Sequence, residues 1–205
     1  MLQPPQTATV LIDNGYLVKI LEYEFHNARL DYAAFSDCVC RMNSCVRRNT
    51  IFFDAAPVQF RDSSSRERKK YANKQRFFAE LAKLPDFEVK LGKLVPYYDW
   101  VTGESKMRQK GVDVQIAVDM VAISWDPARK VDKIILIAGD GDFEPAVKYV
   151  RTLGREVVLY HSARRNKDGS KKVADALRAA CDECYPLDQG FMTECFYDGR
   201  KVAGT

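Results

Sequence analysis

The sequence has no apolar run that approaches the ~18 residues of a membrane-spanning helix. Its first residues, Met-Leu-Gln-Pro-Pro-Gln, also lack the basic and apolar segments of a secretory signal peptide. We therefore expect no membrane partner and a cytoplasmic location. In that setting the six cysteines are expected to be reduced thiols rather than a disulfide framework. Cys181 and Cys184 have metal-ligand spacing, but no second close pair completes a zinc site.

Histidine and glycine-rich motifs are also scarce. His26 and His161 are the only histidines, so there are few candidates for a histidine base. The segment Asp13-Asn14-Gly15-Tyr16 follows the first predicted strand without the glycine triplet of a dinucleotide-binding loop, and the sequence has no Walker loop. The sequence therefore does not support a nucleotide cofactor.

The chain has an ordinary globular composition but an uneven distribution of charge. Hydrophobic residues make up 46% and charged residues 29%, and 205 residues suffice for one well-buried domain. The net charge of +4 conceals two basic segments, at 61–76 and 164–178, in an otherwise acidic chain. Such segments are typical of an enzyme that holds a polyanion near a cation site. Either one alone is equally typical of a solvated surface.

Short apolar runs alternate with amphipathic stretches, a pattern that predicts a parallel sheet covered by helices on both faces. The predicted strands are at 9–12, 51–53, 87–95, 134–138, 156–160 and 183–187. The predicted helices are at 32–46, 69–84, 112–123, 143–153 and 171–180. We expect a three-layer α/β/α sandwich with a mostly parallel central sheet, formed by residues 1–187 and followed by a C-terminal tail at 188–205.

Two of the predicted strands end in aspartate. Asp13 follows the first strand and Asp140 follows the fourth. An open parallel sheet binds its ligands beyond the carboxyl ends of its strands, where the strand order reverses. If these two strands are neighbours, both aspartates lie at such a point. Asp142 precedes the next predicted helix, so a helix cap and a cation ligand fit it equally well.

Helical periodicity singles out Asp113. A helix over 112–123 has an apolar stripe that includes Ile116 and Met120, and Asp113 falls within the same arc. A buried carboxylate is costly unless it is paired or binds a cation, so we expect Asp113 to be a buried site residue. Asp119 lies at the edge of the stripe, where a cation-binding role and a half-exposed structural role fit equally well.

Carboxylates gathered in one place repel one another, so they retain protons or bind a divalent ion. With oxygen ligands alone, Mg²⁺ or Mn²⁺ is the expected ion. Such an ion polarises a phosphate oxygen and activates water, which suits phosphoryl chemistry without a nucleophilic side chain.

These motifs resemble the NYN domain, LabA-like branch, over about residues 8–187. The resemblance rests on Asp13-Asn14, Phe52-Phe53-Asp54-Ala55, Lys110-Gly111-Val112-Asp113-Val114 with Asp119-Met120, Gly139-Asp140-Gly141-Asp142-Phe143 and the segment 182–187. It implies a PIN-like fold and a divalent-cation-dependent ribonuclease, with Asp13, Asp113 and Asp140 as metal ligands and Asp142 as a fourth. The sequence departs from the family at Tyr16, where an asparagine is common. Asn14 is the nearest polar residue that can take over the contact made by the family's asparagine.

A basic helix supplies candidate contacts to a nucleic-acid backbone. Lysines in the first turns of a helix oppose its dipole at a cost of a few tenths to ~1 kcal/mol each, which phosphate binding would offset. Solvation of these lysines is the structural alternative. The candidates are Lys69, Lys70 and Lys74, with Arg66, Arg68 and Lys110. Tyr97, Tyr98 and Trp100 can stack on bases, although packing at a strand end explains them nearly as well.

We predict hydrolysis of RNA that is single-stranded or structured with exposed loops, with DNA as the alternative substrate. The main rival is a catalytically weak nucleic-acid-binding or regulatory module on the same fold, which Tyr16 favours. A small-molecule phosphatase with an aspartyl nucleophile is the other rival, although Asn14-Gly15-Tyr16 lacks the second acid that such enzymes use. The sequence leaves the mode of cleavage and the oligomeric state open.

Overall fold

The computed structural model describes residues 4–61, 63–165, 169, 172–193 and 195. Four predicted features lie partly outside these residues, namely the basic segments at 61–76 and 164–178, the helix at 171–180 and the tail at 188–205. The strands are β1 (Gln6–Asp13), β2 (Cys45–Ala56), β3 (Phe87–Asp99), β4 (Glu104–Lys110), β5 (Lys133–Ile137), β6 (Glu156–Ser162) and β7 (Glu183–Leu187). The helices are α1 (Asn14–Glu24), α2 (Tyr32–Met42), α3 (Ser65–Leu81), α4 (Val112–Trp125), α5 (Glu144–Thr152), α6 (Asp175–Ala180) and α7 (Gln189–Thr193), with a 3₁₀ turn at Gly141–Phe143.

Within the described chain, the strands form one sheet in the order β4-β3-β2-β1-β5-β6-β7. Neighbouring strands are parallel except β3 and β4, which are antiparallel. The central strands are apolar runs, and β5 is buried along its whole length, as expected for a parallel strand covered on both faces. The predicted α/β fold with a mostly parallel sheet is confirmed.

The helices form two layers that bury separate apolar cores. The first layer contains α1, α2 and α3, and its core includes the fully buried Phe35 and Phe52. The second layer contains α4, α5 and α6, and its core includes Ile116 and Phe143. In the segment 188–205, α7 adds the buried Met192 to the first core.

Several predicted helix boundaries were wrong, including the start of the helix predicted at 171–180, which begins at Asp175. The helix predicted at 32–46 ends at Met42, because Cys45 already pairs with Gln6 at the start of β2. The helix predicted from residue 69 begins at Ser65. There Ser64 and Glu67 form a capping box, which satisfies backbone N–H groups that would otherwise lack partners.

Three further elements, α1, β4 and α7, were not predicted. α1 begins with Asn14 and Gly15, which are poor helix formers, and the burial of Leu17 and Ile20 against the sheet stabilises it. β4 alternates charged and polar side chains and lies at the sheet edge, so it lacks the apolar pattern of a core strand.

No helix in the described ranges is long and apolar enough to cross a membrane. All six cysteines lie within the described residues, and none of them forms a disulfide bond there. Cys181 and Cys184 are hydrogen-bonded to each other. Among the described residues, no further cysteine, histidine or carboxylate completes a metal-binding group around this pair.

The order of the sheet creates a reversal beside β1. The chain passes from β1 to β2 and β3 on one side, then crosses to β5, β6 and β7 on the other. β1 and β5 are therefore direct neighbours, with Ile12 opposite Ile137 at their carboxyl ends. The crevice between two such strands is where an open parallel sheet binds its ligand, so the fold positions a site beyond these strand ends.

Candidate active site

A cleft of about 620 Å³ opens at the carboxyl ends of β1 and β5. It brings together Asp13, Asp113 and Asp140, which are separated by up to 127 positions in the sequence. The other lining residues are Gly15, Tyr16, Lys19, Met107, Arg108, Gln109 and Gly139. The three aspartates that the family resemblance implied as ligands thus share one cavity.

Different elements hold each aspartate. Asp13 is the last residue of β1 and the N-cap of α1, where its carboxylate accepts the backbone N–H of Tyr16 at 3.1 Å. Asp140 follows β5 and caps the 3₁₀ turn by accepting the N–H of Asp142 at 3.1 Å. Asp113 lies in the first turn of α4, after Gly111, which has a φ of 83° and lets the chain turn from β4 into the helix.

The structure does not show the helix cap that the sequence left open as one of two roles for Asp142. Asp142 does not cap α5, whose N-cap residue is Phe143 and makes no side-chain cap hydrogen bond. Asp140, two residues upstream, caps the turn because a 3₁₀ turn precedes the helix proper. The side chain of Asp142 is exposed, and its charge acts on Asp113.

Electrostatic repulsion links the aspartates. The pKa of Asp13 is raised to about 6, mainly by burial and also by the negative charge of Asp113, against the lowering effect of the Tyr16 N–H. Partial desolvation also raises the pKa of Asp113, followed by repulsion from Asp140 and Asp142. Ionisation of Asp13 and Asp113 is therefore disfavoured, a condition that a bound cation relieves.

The expected burial of Asp113 was wrong. Ile116 and Met120 of the apolar stripe are buried, but Asp113 lines the open cleft and is exposed there. Among the described residues, no three Asp, Glu, His or Cys side chains already form a compact metal-binding group. The oxygen donors border an open cleft, an arrangement that fits Mg²⁺. This ion keeps several waters and uses one or two carboxylates together with substrate phosphate.

Besides Asp142, two candidates for catalysis or metal binding do not line the cleft. Asp119 is about 9 Å further along α4 than Asp113, and its carboxylate is paired with Lys90 of β3 at 2.8 Å. Asn14 is buried, where its side chain donates to Asp54 at 2.7 Å and accepts from the Tyr32 hydroxyl at 2.9 Å. The structure does not bring either side chain to the three aspartates.

Asp54, near the end of β2, was missed as a site residue. It is 1% exposed and accepts hydrogen bonds from Asn14 at 2.7 Å and from both Lys74 and Gln109 at 3.2 Å. It thereby ties α1, α3 and β4 together behind the cleft. The sequence does contain a signal for this residue, because Asp54 directly follows a predicted apolar strand, as Asp13 does.

The lysines of α3 do not lie in the first turn of the helix, where the sequence predicted them. Because α3 begins at Ser65, Lys69 and Lys70 lie beyond its first turn, where the helix dipole has little effect. Lys74 is paired with Asp54 at 3.2 Å, and Arg68 donates to the Ser63 carbonyl at 2.8 Å. The exposed cations of the set are Arg66, Arg68, Lys69, Lys70 and Lys110.

Tyr16 has a defined role in the cleft wall. Its hydroxyl donates to the carbonyl of Lys172 and accepts the N–H of Ser162, both at 2.9 Å. Its ring lies against Gly139, where an added methyl group would be 2.2 Å from a ring carbon. Burial raises the pKa of Tyr16 to about 12, so the hydroxyl stays neutral and is already used in structural hydrogen bonds.

Two comparisons with known proteins match this chain. The model of the NYN domain family matches residues 9–188. The chain is also similar to the low amplitude and bright protein LabA of Synechococcus elongatus, with 26% identity over 114 residues. That alignment covers 56% of this chain and 55% of LabA, so it spans about half of the relative's length.

Asp13→Asn should stabilise the protein at neutral pH in the absence of divalent cations. Folded Asp13 holds its proton up to about pH 6, whereas its ordinary pKa is 3.8. The free energy of unfolding of the wild type therefore falls as pH rises between these values. The variant avoids this loss and keeps the oxygen that accepts the Tyr16 N–H. We expect a gain on the order of 2 kcal/mol at pH 7.5 and almost none at pH 3.5, measured by urea denaturation in chelator. A variant less stable than the wild type at pH 7.5 would contradict this account of Asp13.

Gly139→Ala should destabilise the protein because the new methyl group collides with the Tyr16 ring. The expected cost is about 1–3 kcal/mol, typical of overpacking. In a Tyr16→Asn background, which restores the family's asparagine, the same change should cost much less. Urea denaturation of the four variants in a double-mutant cycle measures the coupling. Equal costs in both backgrounds would show that the ring contact does not require this glycine.

Proposed function

The chain belongs to the NYN domain family, and from that premise we propose that it is a divalent-cation-dependent ribonuclease. NYN domains are generally nucleases, so membership gives the chain a place in a nuclease superfamily. The observation that carries the proposal is the convergence of Asp13, Asp113 and Asp140 on one cleft at the reversal of the sheet. That convergence joins residues far apart in the sequence at the position where this type of sheet binds ligands.

The proposed cation is Mg²⁺ or Mn²⁺, held by Asp13, Asp113 and Asp140, with Asp142 as a fourth ligand. The donors are hard carboxylate oxygens, which these ions prefer over the soft ligands of zinc or copper sites. When bound, such an ion polarises a phosphate oxygen and makes water more acidic. The raised pKa of Asp13, caused mainly by burial and also by Asp113, supports the need for a positive charge here.

Other residues of the cleft fit the binding of a phosphodiester. Lys19 and Arg108 line the same cavity and supply positive charge to a phosphate that approaches the aspartates. Gln109 is fixed against Gly15 and hydrogen-bonded to Asp54, which makes Asp54 a positioning residue for this wall. Tyr16 closes the opposite side without supplying an acid or a base, because its hydroxyl stays neutral and is already hydrogen-bonded.

RNA is the proposed substrate, with DNA as the alternative. The positive side chains exposed on α3 and at the end of β4 can hold flanking phosphates. These side chains are Arg66, Arg68, Lys69, Lys70 and Lys110. Lys74 connects α3 to the site through its ion pair with Asp54. The preference for RNA over DNA rests on the family resemblance.

A nucleic-acid-binding module without cleavage is the second candidate, and one observation favours it. Tyr16 occupies the position of the family's asparagine, and its hydroxyl is bound to the backbone of Ser162 and Lys172 rather than free to orient water. Such a module would keep the affinity for RNA and lose turnover. The same experiment separates the two candidates.

We expect the purified protein to degrade labelled single-stranded RNA in Mg²⁺ or Mn²⁺ and to stop when a chelator is added. Asp140→Asn and Asp113→Asn should each lower kcat by about 100-fold or more, the scale for removing one electrostatic group at a reacting centre. Asp126→Asn is a matched control, because this exposed carboxylate lies at the other end of α4.

Cleavage that persists in chelator, or that survives in full after Asp140→Asn, would contradict the proposed mechanism. RNA binding without turnover in either metal would support the binding module instead. Labelled DNA of the same sequence, tested in parallel, measures the preference between the two substrates.

A further inference from the structure

The hairpin of β3 and β4 extends beyond the sheet on the side of the cleft. β3 pairs with β2 as far as Lys93, which lies opposite Ala56. From Leu94 onwards its partner is β4, up to the pairing of Asp99 with Glu104. We call residues 93–110 the β3–β4 arm. Because β3 runs parallel to β1, the arm projects past the same edge that carries the aspartates.

The base of this arm is a wall of the cleft. Met107, Arg108 and Gln109 line the cavity that contains Asp13, Asp113 and Asp140. Gln109 also donates to Asp54 at 3.2 Å, which fixes the arm to the body of the protein. A chain molecule that binds along the arm therefore extends into the candidate active site.

The tip of the arm carries exposed apolar side chains. Trp100 is 87% exposed, Val101 is 95% exposed and Tyr98 is 51% exposed. The rings of Tyr98 and Trp100 meet edge to face, with centroids 4.8 Å apart. This contact orients both rings and occupies one face at most, so flat aromatic surface stays open for stacking.

Between the tip and the base the arm is positively charged. Lys106 is paired with both acidic residues of the arm, with Asp99 at 2.7 Å and with Glu104 at 3.8 Å. Three cations remain without a carboxylate partner among the described residues, namely Lys93, Arg108 and Lys110. The Arg108 guanidinium lies over the Tyr97 ring, 5.7 Å from its centroid.

We infer that the β3–β4 arm binds a single-stranded stretch of RNA and stacks an unpaired base on Trp100. Cations along a surface with aromatic rings are the recognised features of single-strand binding, in which phosphates contact the cations and bases contact the rings. Paired bases in a duplex do not offer their faces, so the arm selects unpaired RNA. This inference rests on the proposed function, since it assigns the substrate class of the same cleft.

The length of the arm determines how many nucleotides of a bound RNA can contact it. From Gln109 at the cleft to Glu104 near the tip there are five strand residues, or about 17 Å at ~3.3 Å per residue. At a stacked spacing of ~3.4 Å this distance corresponds to about five nucleotides. An oligonucleotide of about three nucleotides can occupy the cleft but cannot reach Trp100.

Tryptophan fluorescence tests this inference directly, because the chain has only two tryptophans. Trp125→Phe leaves Trp100 as the sole tryptophan. Titration of this variant in chelator with an unstructured RNA of about 12 nucleotides should quench its emission. A trinucleotide and a blunt duplex of the same sequence should produce little quenching.

Trp100→Ala should weaken binding of the ~12-nucleotide RNA by roughly 5- to 150-fold, measured by fluorescence anisotropy of the labelled RNA. Trp100→Phe keeps an aromatic face and should retain most of the affinity. Trp125→Ala is the matched control, since it removes the other exposed tryptophan, at the far end of α4, and should have no effect. Circular dichroism of each variant checks that the fold is retained.

Binding in chelator does not depend on cleavage, so the two proposals can fail separately. Quenching of Trp100 by RNA in a protein that never cleaves would support the arm and reject the nuclease. Cleavage with unchanged affinity and KM in Trp100→Ala would overturn the arm while the nuclease stands. Equal affinity for the duplex and for the single strand would also overturn the proposed role of the arm. So would a loss of affinity for the trinucleotide in Trp100→Ala as large as the loss for the ~12-nucleotide RNA.

Discussion

Repulsion between carboxylates at the carboxyl edge of the sheet is the constraint on which the site depends. The sheet reverses its order beside β1, which places Asp13 next to the end of β5 and therefore near Asp140. The first turn of α4 adds Asp113 to the same cleft. Burial keeps Asp13 partly protonated near pH 6, so the folded protein carries an electrostatic cost that a cation would remove. The fold thus holds acidic groups in place at some expense of stability, which is common at functional sites.

The surrounding residues maintain this arrangement through two local networks. Behind the cleft, Asp54 collects hydrogen bonds from three elements and fixes the wall that Gln109 contributes. On the other side, Tyr16 spans from α1 to the backbone of β6 and fits only because residue 139 is glycine. The tyrosine at the position of the family's asparagine is therefore accommodated by the glycine at position 139.

The sequence predicted the features that depend on chain-wide patterns. Alternating apolar and amphipathic segments indicated the layered fold, and aspartates at strand ends indicated Asp13 and Asp140. The prediction from sequence was wrong where contacts between distant elements, rather than the local pattern of residues, determine the structure. The exposure of Asp113 depends on the position of the first turn of α4 beside the cleft, which periodicity within the helix does not encode. The charged strand β4 forms by pairing with β3 at an edge, so its own residues give no apolar signal.

The most direct test of the shared cation site is anomalous diffraction at the manganese edge from crystals of the protein soaked in Mn²⁺. The arrangement of carboxylates predicts a peak in the cleft within ligand distance of Asp13 or Asp140, with Asp113 bordering the same ion or its waters. A cleft that stays without a peak at saturating Mn²⁺, or ordered manganese bound only elsewhere, such as beside Asp119, would contradict the account.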